Sequence, residues 1–141
     1  MVAKSSRAVE LKAVRACRYR RVENKFRLRS LTRRADFERL RTEGKSVHIN
    51  SWLLVNMQPT ESGEVRCGWT IPRQVGTAVV RNRLRRWGRE YLRRWGSGLK
   101  RGLDVNLVIR RRDKEFYKLM AHKEFNEAMD KMAARLERYL N

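Results

Sequence analysis

The segment Val79–Trp95, VVRNRLRRWGREYLRRW, restricts the fold more than any other stretch of this chain. At 100° per residue, Val80, Leu84, Trp87, Tyr91 and Trp95 gather within about 80° of arc. Arg81, Asn82, Arg85, Arg86, Arg89 and Arg93 fall on the other side. An apolar stripe this narrow has to dock on a second layer, so the segment predicts a helix laid on a sheet. Its far face is harder to satisfy. Solvated charged faces normally alternate sign at i,i+4, yet Glu90 is the one acid in the run, and like charges at that spacing repel. Anions relieve the repulsion. A planar guanidinium binds phosphate through two parallel hydrogen bonds and also stacks on bases, which a lysine does not do. Phosphate binding is the reading the face favours, with a membrane-surface helix or a calmodulin-target helix as the other uses of such a pattern.

Charge elsewhere in the chain agrees. The formal net charge is +20 over 141 residues, and a compact body with that excess is at ease only beside a polyanion. The excess is concentrated. Residues 1–34 carry +10 and residues 73–101 carry +9, while 35–72 carry −1 and 102–141 carry +2. Two basic zones thus flank balanced sequence, which is the pattern of a nucleic-acid-binding surface on a folded domain.

Catalytic chemistry is hard to find. His48 and His122 stand apart in no metal-ligand spacing, and no P-loop, HExxH, GxSxG or GxGxxG occurs. No cluster of carboxylates is placed to hold two Mg²⁺ ions. We therefore expect no catalytic residues, no metal site and no tightly bound cofactor in this chain. Cys17 and Cys67 lack any CxxC or CxxH context and are expected to be reduced thiols. No run of 18 apolar residues and no secretion signal is present, so a soluble, cytoplasmic protein is expected.

Hydrophobic periodicity suggests one α+β domain. Residues 1–25 are expected to form a basic flexible arm, too poor in apolar side chains to offset the entropy of ordering, and 26–141 the folded domain. A short helix is expected over about 33–43, ending at Gly44. Val47, Ile49, Leu53, Val55 and Met57 share one parity, predicting a strand over 46–57. The polar turn PTESGE leads into a second strand, Val65–Ile71, and the two are expected to pair as an antiparallel hairpin. After the basic helix come a strand over Leu103–Arg110 and an amphipathic helix from about Lys123 to the end. The resulting order is α-β-β-α-β-α. Trp52 takes the parity opposite to Val55, leaving two readings, a core aromatic or a platform for an unpaired base. Trp87 and Tyr91 are expected in the core.

The stretch Val75–Arg89, VGTAVVRNRLRRWGR, closely resembles the signature of bacterial ribonuclease P protein subunits, a G-x-A-V-x-R-N-R stretch followed by a basic helix. FRLRSLTRRADFERLRTEGKSV (26–47) is similar to that family's opening helix and turn. CGWTIPRQVG (67–76) is similar to the strand entering the signature. The resemblance covers roughly 26–140. It implies an α-β-β-β-α-β-α order with a left-handed βαβ crossover, the ribosomal protein S5 domain 2-like fold, against the usual right-handed rule. It also implies an accessory, RNA-binding subunit of an endonuclease whose catalytic RNA, with Mg²⁺, removes the 5′ leader of precursor tRNA. The implied partners are that RNA and the leader, with no membrane and no obligate protein partner.

Carried over by position, the resemblance makes Arg81, Asn82, Arg83, Arg85, Arg86 and Arg89 RNA contacts and matches Arg73 to a basic cleft position. Arg73 and Arg93, the latter from the arginine face of the helix, are expected to join the RNA-binding set. The resemblance makes Phe37, Arg41 and Trp52 lining residues of a leader cleft formed by the sheet and the basic helix. Arg41 and Val55 stand where relatives often carry aromatics. Gly88 replaces a larger apolar residue at a cost of about 1 kcal/mol in helix propensity. The alternative from another class is a general RNA chaperone or ribosome-associated RNA-binding protein, which shares the charge but gives no reason for the register of the RNR triplet.

Overall fold

A computed structural model describes residues 26–113 and 115–140. The arm expected over 1–25 lies outside the described residues. The elements are β1 (Leu28–Ser30), α1 (Arg34–Thr42), β2 (Lys45–His48), β3 (Leu53–Thr60), β4 (Val65–Thr70), α2 (Ala78–Gly96), β5 (Gly102–Ile109) and α3 (His122–Leu140), with a 3₁₀ turn at Arg73–Val75. From α1 onward this is the seven-element order implied by the resemblance, not the six-element order read from periodicity.

The strand expected over 46–57 is in fact two. Asn50 Oδ1 accepts hydrogen bonds from the backbone N–H groups of Trp52 (3.0 Å) and Leu53 (2.9 Å), an Asx-type turn that reverses the chain. Val47 then pairs with Val55 across the β2–β3 ladder. Paired residues differ by an even number, eight for Val47 and Val55, so the apolar parity runs through the turn unbroken and hides it.

The five strands lie in the order β1-β4-β5-β3-β2. The expected hairpin of the two strands around PTESGE is therefore not formed: β5 enters between them, antiparallel to β3 and parallel to β4. The reason is burial. Leu103, Val105, Leu107 and Ile109 are fully buried on one face of β5, and Asp104 and Asn106 are buried on the other. A strand enclosed on both faces belongs in the middle of a sheet. β4 and β5, parallel neighbours, are joined through α2.

Register assigns the faces. Val47, Val55, Met57, Val65, Cys67, Trp69, Val105 and Leu107 share one face, and α2 and α3 pack side by side upon it to make the main core. Val55, expected at a cleft position, is fully buried here. Burial pushes the Cys67 thiol up to about 11, with nearby Arg89 pulling the other way, so this cysteine is an inert core side chain. The opposite face carries Ser46, Leu54, Asn56, Arg66, Gly68, Thr70, Asp104, Asn106 and Val108, and among the described residues only α1 lies across it. Gly44 closes α1 because a Cβ there would stand 2.4 Å from the Leu40 carbonyl oxygen and 2.9 Å from that of Met57.

Candidate nucleic-acid interface

Thr77 starts α2, its hydroxyl accepting from the Val80 N–H at 3.4 Å, a conventional N-cap. The buried line of the helix is Val80, Leu84, Gly88, Leu92 and Gly96. The expected stripe through Trp87, Tyr91 and Trp95 is thus turned by about 60°. Two glycines cause the turn. At Gly88 a Cβ would meet the Trp69 ring at 2.2 Å, and at Gly96 it would meet Phe26 at 2.5 Å. Aromatic side chains from the sheet side fill the space the glycines leave. Gly88 is therefore explained by close approach of the sheet rather than of a ligand.

Trp87, Tyr91 and Trp95, half-buried instead of central, form the seam with α3. Tyr91 Oη donates to Asp130 at 2.6 Å and Trp95 Nε1 to Glu137 at 2.9 Å. Burial, reinforced by Asp130, holds the Tyr91 hydroxyl far above its ordinary range. Trp87 stacks on His122 with centroids 4.7 Å apart. Gly88→Ala should test this packing. Helix propensity alone would favour alanine by about 1 kcal/mol, yet the Trp69 ring must shift, and we expect a net loss of about 1–3 kcal/mol in urea melts. A stabilised variant would show that Trp69 is free to move.

The seven arginines of α2 divide into three groups. Arg86, Arg93 and Arg94 are exposed, as are Asn82 of the same helix and Arg73 of the preceding turn. Arg81, Arg85 and Arg89, spaced by four, flank the buried line on the β1 side. Of these, Arg85 donates to Asn82 Oδ1 (3.0 Å) and Arg89 to Ser30 Oγ (3.1 Å). Arg83, on the other flank, is committed to the protein. It donates to the backbone carbonyls of Tyr117 and Lys118 and covers the Trp87 ring at 4.8 Å. Ion pairs among the described residues fall on β1, α1, β5 and in or beside β4, and none involves α2. The helix presents its positive charge without internal compensation.

A second candidate surface lies across the sheet from α2. An open cleft of about 460 Å³ has α1 as its wall, through Phe37 and Arg41, and strands β2 to β5 as its floor. Phe37 leans over Gly68, where a Cβ would stand 2.4 Å from its ring. The floor holds side chains that periodicity did not single out. Ser46, Asn56 and Asn106 stand in register on adjacent strands, followed by Thr70. Ser46 Oγ donates to Asn56 Oδ1 at 2.6 Å, and Thr70 Oγ1 and the Asn106 amide lie 3.1–3.3 Å apart. Leu54 and Val108 add an apolar strip beside this polar row. The sign in the sequence was parity: asparagines at 56 and 106 alternate with fully apolar neighbours.

Below the cleft, Asp104, with a side chain 1% exposed, ties α1 to the sheet. It accepts from Arg39 Nη2 at 2.7 Å and from Arg66 Nε and Nη2 at 2.8 and 2.6 Å. Asp36 stands 3.5 Å from Arg39 and 3.8 Å from Arg66. The hydrogen bond to Asp104 holds the Arg66 guanidinium above its usual value.

Two expectations about this cleft are corrected. Trp52 does not line it. The residue sits in the β2–β3 turn, where strand parity does not apply, and is 6% exposed. Its ring packs 6.0 Å from Tyr117 and Phe125 and 6.4 Å from Phe116 in the core. Nor does the basic helix help to form the cleft, since α1 and the sheet make it and α2 lies on the opposite face. Among the described residues no cluster of His, Cys, Asp and Glu is arranged to hold a metal ion, and no helix is long and apolar enough to cross a membrane.

Known proteins share this arrangement. The family model for ribonuclease P matches residues 26–136. A ribonuclease P protein component from Chloroflexus aurantiacus is 39% identical over 80 residues, covering 57% of this chain and 58% of that one. One from Caldanaerobacter subterraneus is 32% identical over 84 residues, covering 60% and 72%. The alignment with the Chloroflexus protein thus spans under two thirds of that relative's length. The solved RNase P protein from Thermotoga maritima superposes with a TM-score of 0.66 at 29% identity, covering 77% of this chain and 97% of that one. The Staphylococcus aureus RNase P protein gives 0.67 at 22% identity, covering 82% and 100%, a likeness of fold. With the family model running from before β1 through most of α3 and taking in the arginine-bearing face of α2, this chain belongs to the ribonuclease P protein family.

Proposed function

We propose that the chain is the RNA-binding protein subunit of ribonuclease P, working in the cytoplasm as partner of a catalytic RNA in removing the 5′ leader of precursor tRNA. One observation carries the reading: α2 bears seven arginines, one glutamate and no ion pair among the described residues. Such a face is stable beside phosphates and strained without them. Arg73, Asn82, Arg86 and Arg93, with Arg81, Arg85 and Arg89 on the flank, hold the catalytic RNA. Arg83 serves mainly to brace the loop before α3.

The cleft under α1 takes the single-stranded leader. Its volume of about 460 Å³ leaves room for an unpaired base between Phe37 and the Leu54–Val108 strip, with the Asn56 and Asn106 amides on the floor beside the base edge. Arg41 supplies a guanidinium to stack or to meet a phosphate. Phosphodiester hydrolysis belongs to the RNA, which holds the Mg²⁺; the protein contributes affinity and position.

Reconstitution tests the proposal. The isolated chain should leave precursor tRNA intact. Added to a ribonuclease P RNA, it should give 5′ processing at lower Mg²⁺ than the RNA needs alone, because protein cations replace part of the screening. Metal-dependent cleavage by RNA-free protein would refute the accessory role. Equal affinity for every RNA in a cellular pool would favour the general chaperone.

A further inference from the structure

α2 begins beside a groove of about 660 Å³ whose apolar walls are Val75, Val79 and Val80 and whose charged lining residues are Arg83, Lys118 and Glu115. Val79 is 77% exposed, more than any other large hydrophobic side chain among the described residues. A single exposed valine is ordinary on a protein surface. This one differs in its neighbours. Val75 and Val80 behind it are buried, so the exposed isopropyl group forms the outer edge of a preformed apolar hollow.

Its position on the helix matters as much. Val79, Asn82 and Arg86 stand at i, i+3 and i+7 and share one face of α2. A polyanion lying along Asn82 and Arg86 passes over Val79. Phosphate gains nothing from an isopropyl group, and its partners are the arginines. An unstacked base has a flat, weakly solvated face that does gain from such a neighbour, and its acceptor atoms suit the ammonium of Lys118. An acidic partner would meet Glu115, and an apolar side chain would offer the Lys118 ammonium no acceptor.

We propose that this groove receives an unstacked nucleobase of the RNA bound along α2, an apolar anchor beside the phosphate-binding arginines. The proposal rests on the RNA-binding reading of α2 and assigns that surface an interaction which arginines cannot provide. It separates two components of RNA affinity, one dependent on salt and one not.

Val79→Ser and Val79→Leu in the full chain, titrated with ribonuclease P RNA at several salt concentrations, provide the test. The serine variant should bind about fivefold more weakly at every salt concentration, with the log–log salt slope unchanged, because every phosphate keeps its cation. The leucine variant should keep wild-type affinity. Chemical probing should show one RNA base becoming more reactive with the serine variant than with the wild type. Neither change should move the melting temperature, since the side chain is exposed. Wild-type affinity in the serine variant would overturn the groove and leave the RNA-binding reading intact. If the wild-type chain itself does not select this RNA over competitor RNA, both fall. Weakened binding that tracks loss of protein self-association in sedimentation would overturn the nucleobase in favour of a second copy of the chain.

Discussion

Leu84→Ala is expected to lower the unfolding free energy by about 2–5 kcal/mol, the range for deleting a fully enclosed leucine side chain. Leu84 is 0% exposed and sits midway along the buried line of α2. Leu84 belongs to the same buried core cluster as Leu107 and Met129, and the side chains of such a core are large and close-packed. They collapse only partly into the space, so a cavity term adds to the lost transfer energy. Trp87→Ala removes more atoms, but the ring is half-exposed at the seam with α3, and its loss should fall near the lower end of the same range. Urea melts should show a reduced midpoint with an unchanged slope, the signature of lost stability without a change in the unfolded state. A change below about 0.5 kcal/mol at Leu84, as for an ordinary surface site, would mean that α2 does not dock as described.

The opposite face should answer in the opposite way. Arg86→Ala and Arg93→Ala are expected to leave stability within about 0.5 kcal/mol of the parent, since both side chains are exposed and neither takes part in an ion pair with the described residues. Each should weaken binding to the catalytic RNA. Each should also lower the magnitude of the log–log salt slope by about one unit for every phosphate left without its arginine. Combining Arg85→Ala, Arg86→Ala, Arg89→Ala and Arg93→Ala should remove roughly four units.

Arg83→Ala is the internal control. It leaves the carbonyls of Tyr117 and Lys118 without their donor, and should cost about 1–2 kcal/mol of stability with little change in slope. Pairing thermal melts with titrations on the same proteins separates the groups. Arginine variants at 86 and 93 that lose stability but keep affinity and slope would place the phosphate-binding face elsewhere.

These contrasts follow local pattern in part. Alternation of charge and apolar residues at period 3.6 located α2 and put Arg86, Arg89 and Arg93 on its outer side, because helical geometry is set within each turn. The fine rotation was not legible. Tryptophan and tyrosine outrank glycine on any hydrophobic scale, so a stripe drawn from single residues ran through Trp87, Tyr91 and Trp95. The buried line passes through Gly88 and Gly96 because Trp69 and Phe26, 19 and 70 residues away in sequence, occupy the room that a Cβ would take. Arg83 shifted role for a similar reason: its acceptors belong to a loop 34 residues onward.

Phe37 and Arg41 line the cleft under α1, both carried there by the helix over 34–42. Trp52 and the polar floor did not follow from local pattern. Parity assigns a side chain to a face only while the strand continues, and the Asn50 turn interrupts it without disturbing the count.

By itself, the sequence determined the segments that fold locally, the helix that carries unopposed positive charge, and a signature sufficient to name the family it resembles. Tertiary structure alone decided that β5 separates β3 from β4, that α1 rather than α2 walls the cleft, and that Ser46, Asn56, Asn106 and Thr70 meet on its floor. Strand order and side-chain convergence depend on pairings between residues as far apart in the chain as Leu53 and Ile109. Periodicity records which face of an element is apolar; it holds no information on which neighbour that face will meet.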